Sequence, residues 1–168
     1  VIVGDAHQYL LDHYKEFDFI WSSPPCPSHS RARFWGYKET QPIYPNMSLY
    51  QEILLLKTHF KGVWVVENTK PYYEPLIEAK AIGRHLFWSS FYLAGIDAND
   101  GDPRSATNGN LEELFGFDLS QYEVKTDKYK GSRAKLELLR NCVSPETGLH
   151  ILNMATGAMP PIQEGLFA

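Results

Sequence analysis

Few residues in this chain combine reactive chemistry with a position that would present it. Cys26, one of two cysteines, lies in the run Ile20-Trp21-Ser22-Ser23-Pro24-Pro25-Cys26-Pro27. A thiolate is a strong nucleophile, and prolines on both sides stiffen the loop that would hold it out. His29, Arg31 and Arg33 follow closely, and their charge is expected to lower the thiol pKa. Glu67 comes directly after Val63-Trp64-Val65-Val66. A carboxyl group at the wall of a core tends to have a raised pKa and can donate a proton. Each has a plainer reading: an inert buried thiol for Cys26, a helix cap or loop ion pair for Glu67. Cys142 reads as packing.

These groups need elements to bring them together. Val1–Val3 is a short β-branched run stopped by Gly4-Asp5. Tyr9, Leu10, His13 and Tyr14 recur at helical spacing and predict a helix over 6–16. Phe17–Trp21 is apolar, aromatic and too short for a helix, which predicts a buried strand. Pro24, Pro25 and Pro27 end it, since proline has no backbone donor. Residues 28–46 are polar, basic and proline-marked, a long loop. Asn46 starts a helix whose apolar face over 48–60 includes Leu49, Ile53 and Leu56, and Gly62 closes it. Val63–Val66 predicts a second buried strand ending at Glu67-Asn68, and 84–93 a further one. Residues 95–110 form a long loop or a small inserted element, 111–117 and 132–141 look helical, and 147–158 is a closing helix.

Strands alternating with helices predict an α/β fold with a mostly parallel sheet. In such sheets ligands bind outside the carboxyl ends of the strands. Asp5, the run Ser22–Cys26 and Glu67-Asn68 fall at three such ends. A carboxylate, a thiol and a second carboxylate therefore converge on one edge.

The chain has 168 residues, 43% hydrophobic and 21% charged, enough for a buried core. No apolar run is long enough to span a membrane. Two cysteines make neither a disulfide framework nor a metal cage, so a reduced, intracellular protein is expected. The net charge of -4 is not that of a general nucleic-acid coat. Charge is unevenly spread, however. Residues 96–123 hold seven acidic groups and one basic, whereas 125–140 hold six basic and two acidic. A basic strip of that kind either grips phosphates or is a solvated helix face.

Together these residues resemble the DNA cytosine-5 methyltransferases. Pro25-Cys26 resembles the family's proline-cysteine nucleophile motif, and Glu67-Asn68 its Glu-Asn motif. Arg84-His85-Leu86-Phe87-Trp88 resembles the arginine-bearing strand that follows. Arg140-Asn141-Cys142-Val143, then Gly148-Leu149, resembles the last motif, where Asn-x-Val precedes the C-terminal helix. The four occur in the family's order across residues 22–152, in the manner of small single-domain members from bacteria and phages.

The resemblance implies a Rossmann-like methyltransferase sheet and a defined set of roles. Cys26 would add to C6 of a cytosine flipped out of duplex DNA. Glu67 would bind N3 and the exocyclic amine, Arg84 would help hold the base, and Asn68 would brace the Cys26 loop. S-adenosylmethionine would be the methyl donor, with Asp5, Pro24, Asn141 and Val143 around it. Ser30, Arg31 and Arg33, in the loop 28–46, and Lys128, Lys130 and Arg133, in the basic strip, would touch DNA. The catalytic core would be 1–91 and 131–168, with a short target-recognition segment at 92–130, in the cytoplasm of a bacterial or phage-infected cell.

The chain also departs from the family. The aromatic- and glycine-rich cofactor loop and the acid that binds the cofactor ribose have no counterpart. Val1 corresponds to the third strand, so the first two are expected to come from another chain or a lost N-terminal segment. Three rivals follow. Ser23-Pro24-Pro25 is similar to the turn of amino-methyltransferases, with Cys26 in place of the aromatic. A DNA-binding pseudo-enzyme or regulatory partner would need no cofactor loop. A hydrolase using Cys26 with His29 would need a dyad three residues apart in a proline-kinked loop, without a visible oxyanion nest.

Overall fold

The apolar runs become the strands of a single sheet. The computed structural model describes residues 1–34, 43–98, 107–126 and 128–158, excluding the side chains of 32 and 33. The chain divides into two units, Val1–Gly95 with Ile151–Ala168, and Ile96–His150. The first holds four strands: β1 (Phe19–Ser22), β2 (Val63–Thr69), β3 (Lys80–Ile82) and β4 (His85–Ser89). Their order is β1-β2-β4-β3.

The fold is mixed α/β, and the expectation of a mostly parallel sheet is corrected. β1 and β2 are parallel, with Ser22 opposite Val66, but β4 is antiparallel to both β2 and β3. The cause is local. Gly83 has φ 53°, a left-handed conformation that favours glycine, and the turn Gly83-Arg84 folds β3 onto β4 as a hairpin. The expected strand over 84–93 is therefore strand only over His85–Ser89. The Phe17–Trp21 strand is shifted to Phe19–Ser22, and β2 runs on through Glu67 and Asn68 to Thr69. Val1–Val3 forms no strand and is exposed.

Side-chain alternation divides the sheet into two faces. Ile20, Trp64, Val66, Leu86 and Trp88 form one core with Leu10 of α1 (Ala6–His13) and Leu49, Tyr50, Ile53 and Leu56 of α2 (Ser48–His59). Trp21, Val65, Glu67, His85 and Phe87 alternate to the other face, where Trp21 and Phe87 meet edge to face at 6.2 Å. Asp5 caps α1 by accepting from Gln8 N at 3.0 Å. Beyond His13 the predicted helix tightens into a 3-10 turn over Tyr14–Glu16. A Cβ at Gly62 would overlap the Asp18 carbonyl oxygen and the Phe60 ring. That close approach lets Val63 N donate to Asp18 O at 2.9 Å, starting the β1–β2 pairing.

In the second unit α3 (Asn108–Phe115) is capped by Thr107 and stops at Gly116, φ 67°. It packs through Leu111 and Phe115 on Leu139 of α4 (Ser132–Asn141). α5 (Pro145–Thr156), whose residues from Ile151 on belong to the first unit, starts two residues earlier than its spacing suggests, where Ser144 and Thr147 join hydroxyls, and stops before Gly157, φ 69°. Among the described residues no helix is long and apolar enough to cross a membrane.

Candidate active site

Parallel pairing sets the carboxyl ends of β1 and β2 side by side, and the hairpin turn brings Arg84 to the same edge. Ser22 ends β1, and four residues later Cys26 turns the chain: its carbonyl accepts from His29 N at 2.9 Å and Ser30 N at 3.0 Å. Glu67 and Asn68 lie in the last half of β2, both buried. Adjacent residues of a strand face opposite ways, so the pair has divided labour. Glu67 is on the Phe87 and His85 face, with His85 Nε2 3.7 Å from its carboxylate. Asn68 turns to the other face, where Nδ2 donates to the Pro24 carbonyl at 2.8 Å. Past β2, Lys70 N donates to Arg84 O at 3.3 Å, tying the hairpin turn to this edge.

The electrostatics differ from the sequence expectation. The Cys26 thiol is raised, not lowered. Burial is the main cause, and the nearby Glu67 carboxylate adds to it, with a backbone hydrogen bond opposing. The expected helpers are engaged elsewhere. His29 is buried, its Nδ1 lies 2.5 Å from the Tyr73 hydroxyl, and burial pushes its pKa down, so at neutral pH it brings no charge. Arg31 Nε donates to Pro71 O at 2.7 Å. The Cys26–His29 dyad of the hydrolase reading has no geometric support, because the imidazole is turned to Tyr73.

Arg31 lines a cavity of about 380 Å³ with Lys70, Tyr73, Glu74 and Glu78; Cys26 and Glu67 do not line it. Ser30 bridges to Pro71. The side chain of Arg33 lies outside the described residues, as do residues 35–42 of the expected DNA-contacting loop. Of the expected cofactor residues, Asp5 is exposed and Pro24 is buried in the first unit. Asn141, exposed at the end of α4, and the half-buried Val143 belong to the second.

The basic strip has its own local order. Lys125 and Lys130 pair as an isolated bridge, and Thr126 N donates to Tyr129 O at 2.9 Å. Arg133 stacks over the Tyr129 ring at 4.7 Å. Lys128 and Lys130 are exposed. Cys142 is half-buried, and its thiol donates to Leu138 O at 3.3 Å, consistent with packing.

Two groupings were not anticipated from sequence. Glu52 of α2 is buried, accepting from Ser22 Oγ on one oxygen and from His7 Nδ1, at 2.9 Å, on the other. It joins α1, α2 and the end of β1. The signal was a glutamate placed between apolar residues on a helix. The second grouping is Tyr73 with Tyr50, whose hydroxyls are 3.3 Å apart.

No family model, curated protein or solved structure matches this chain.

Proposed function

We propose that the chain is a DNA cytosine-5 methyltransferase whose nucleophile is Cys26. The observation that supports it most is the pairing of adjacent strand ends: a thiol after β1, a buried carboxyl group on β2 near enough to act on it, and Asn68 holding Pro24. That arrangement suits a pyrimidine, which needs a nucleophile at C6 and a proton donor at N3.

In this reaction the Cys26 thiolate adds to C6 of an extruded cytosine, and the ring electrons shift toward N3 as Glu67 donates its proton there. C5 becomes enamine-like and nucleophilic. Once C5 has taken a methyl group, return of the N3 proton to Glu67, loss of the C5 proton and elimination of Cys26 would restore the aromatic ring. The coupling between the two groups has a useful sign. An ionised Glu67 holds the thiol proton on, whereas a protonated Glu67 removes that charge. The form of Glu67 that can donate to N3 is therefore the form that eases ionisation of Cys26. Arg84, on the same edge, would steady the base.

The methyl donor in this reading is S-adenosylmethionine. In the first unit Asp5 is exposed while Pro24 is buried, and the Pro24 carbonyl is already taken by Asn68. Among the described residues β1 pairs only with β2, and strands supplied there by another chain or a longer N-terminus would complete the donor side.

The test is covalent trapping on duplex DNA carrying 5-fluorocytosine, with and without S-adenosylmethionine, on this chain and an N-terminally extended one. A denaturant-stable adduct that needs the methyl donor and disappears in Cys26→Ser supports the proposal. A folded, DNA-binding protein with no adduct in either form favours the pseudo-enzyme reading, to which the raised thiol also points.

A further inference from the structure

The turn after Cys26 is held by a chain of buried polar groups that the reaction does not use. Tyr50 OH donates to Tyr73 OH at 3.3 Å, and Leu76 N donates to Tyr50 OH at 3.2 Å. Tyr50 spends its proton on Tyr73, so Tyr73 directs its own to His29 Nδ1, 2.5 Å away. An imidazole that accepts on Nδ1 carries its proton on Nε2. Among the described residues its other polar partner is the Asn46 backbone. Asn46 N in turn donates to Ser28 Oγ at 2.9 Å, and Tyr72 N donates to His29 O at 3.0 Å. His29 is 1% exposed. The turn is thus clasped on three sides: by the segment after β2, by the start of α2, and through Tyr50 by α2 itself.

We propose that His29 is a positioning residue for Cys26, a neutral clasp that fixes the turn carrying the thiol through Tyr73 and Asn46. The inference deepens the proposed function, because it takes Cys26 as the reacting group. Two features set it apart from ordinary packing. The clasp grips the residues directly downstream of Cys26, while Asn68 grips Pro24 upstream, so the thiol is fixed from both sides by the segment 68–73. It also has one protonation state. A second proton on His29 would displace the Tyr73 donor, and among the described residues no hydrogen bond or ion pair joins the ring to a carboxylate. Among the described residues the titratable groups facing the ring are Tyr73 and, behind it, Tyr50; Arg31 donates to Pro71 O, and Cys26 stands on the same turn. Burial and the bond to Tyr50 push the Tyr73 hydroxyl far up, so it remains a donor throughout.

The experiment compares labelling of Cys26 with labelling of Cys142, an internal reference in the other unit, from pH 4.5 to 8. The probe is 2,2′-dithiodipyridine, with each site quantified by peptide mass. The chains are the wild type, Tyr73→Phe and His29→Asn; asparagine can accept from Tyr73 but cannot titrate. In the wild type the Cys26:Cys142 ratio is expected to rise about tenfold below the ordinary histidine range, the effect of losing one buried hydrogen bond. Tyr73→Phe is expected to show the higher ratio already at pH 7.5. His29→Asn is expected to keep the low ratio and lose its pH dependence. A flat wild-type ratio, or a His29→Asn profile that still rises in acid, would overturn the proposal; the wild-type profile decides even where a variant fails to fold. Labelling needs no methyl transfer. Loss of the 5-fluorocytosine adduct with this profile intact would count against the methyltransferase reading alone.

Discussion

Asn68 Nδ2 donates to the Pro24 carbonyl at 2.8 Å across a fully buried contact, and its Oδ1 accepts from Thr69 N at 3.0 Å. One side chain on β2 thereby fixes the exit of β1, two residues before Cys26. An apolar replacement would leave the buried Pro24 carbonyl without its donor. Asn68→Ala is expected to lower stability by about 1–3 kcal/mol, the desolvation cost of an orphaned group. Urea titration measures that. Labelling of Cys26 should speed up at the same time, since its loop loses the upstream anchor. An unchanged denaturation midpoint would mean that water or the backbone replaces the bond without cost.

Glu67 raises the thiol, and the sign of that influence is testable directly. Glu67→Gln removes the charge while keeping the shape. The Cys26 thiol should then ionise at lower pH, and its iodoacetamide alkylation at pH 7.5 should accelerate by about threefold to tenfold, as expected for the loss of a nearby like charge. If Glu67 is the proton donor to N3 in the proposed reaction, adduct formation on cytosine should fall at the same time. A variant that alkylates no faster would remove Glu67 from the neighbourhood of the thiol.

His29 predicts a pH dependence of stability. Its folded-state pKa is depressed, chiefly by burial, below the ordinary value of about 6.5. The unfolded chain therefore takes up a proton first as pH falls. The stabilisation from the neutral ring is fully present above about 6.5 and is lost as pH drops from there through the folded-state value. Urea midpoints at pH 7.5 and 5.0 should diverge for the wild type and diverge less for His29→Asn. Equal divergence would assign the acid loss to other groups.

Glu52 is the third polar anchor of this edge. Its carboxylate receives both Ser22 and His7, and its side chain is 5% exposed. Glu52→Ala deletes a buried acceptor shared by two donors. It is expected to cost about 2–4 kcal/mol, moderated because His7 retains contact with solvent. Glu52→Gln should recover part of this, since its amide oxygen can still accept from one donor. Recovery to full wild-type stability would show that the charge contributes nothing.

Apolar runs made β1, β2, α1 and α2 legible, because burial of Ile20, Val65, Val66 and Ile53 follows directly from residue type and period. The edge that collects Cys26, Glu67 and Asn68 was legible for the same reason: strand ends are where apolar runs stop. The hairpin was not. Lys80-Ala81-Ile82 is too short to show alternation, and the conformation of Gly83 has no signature outside its turn. The thiol electrostatics were misread because charge in sequence is not charge in space. Arg31 spends its donor on Pro71, and His29 is neutralised by burial. Among the described residues Glu67, distant in sequence, is the charged group that acts on Cys26.

The basic strip provides the last test. Lys128 and Lys130 are exposed, and Arg133 is held over the Tyr129 ring. If these cations meet the DNA backbone, each releases counterions on binding, and the logarithm of affinity falls with the logarithm of salt by about 0.9 per phosphate neutralised. Lys128→Ala with Lys130→Ala should therefore flatten that slope by nearly two and weaken binding to a similar degree on every sequence. Arg133→Ala should do the same by about one, while Arg133→Lys, which keeps the charge but stacks less well on Tyr129, should nearly preserve the slope. Fluorescence anisotropy of a labelled duplex between 50 and 200 mM salt reads all of these, on the order of the range where such slopes are resolved. An unchanged slope in the double lysine variant would place the strip away from DNA and leave it as the solvated face of α4 and the turn before it.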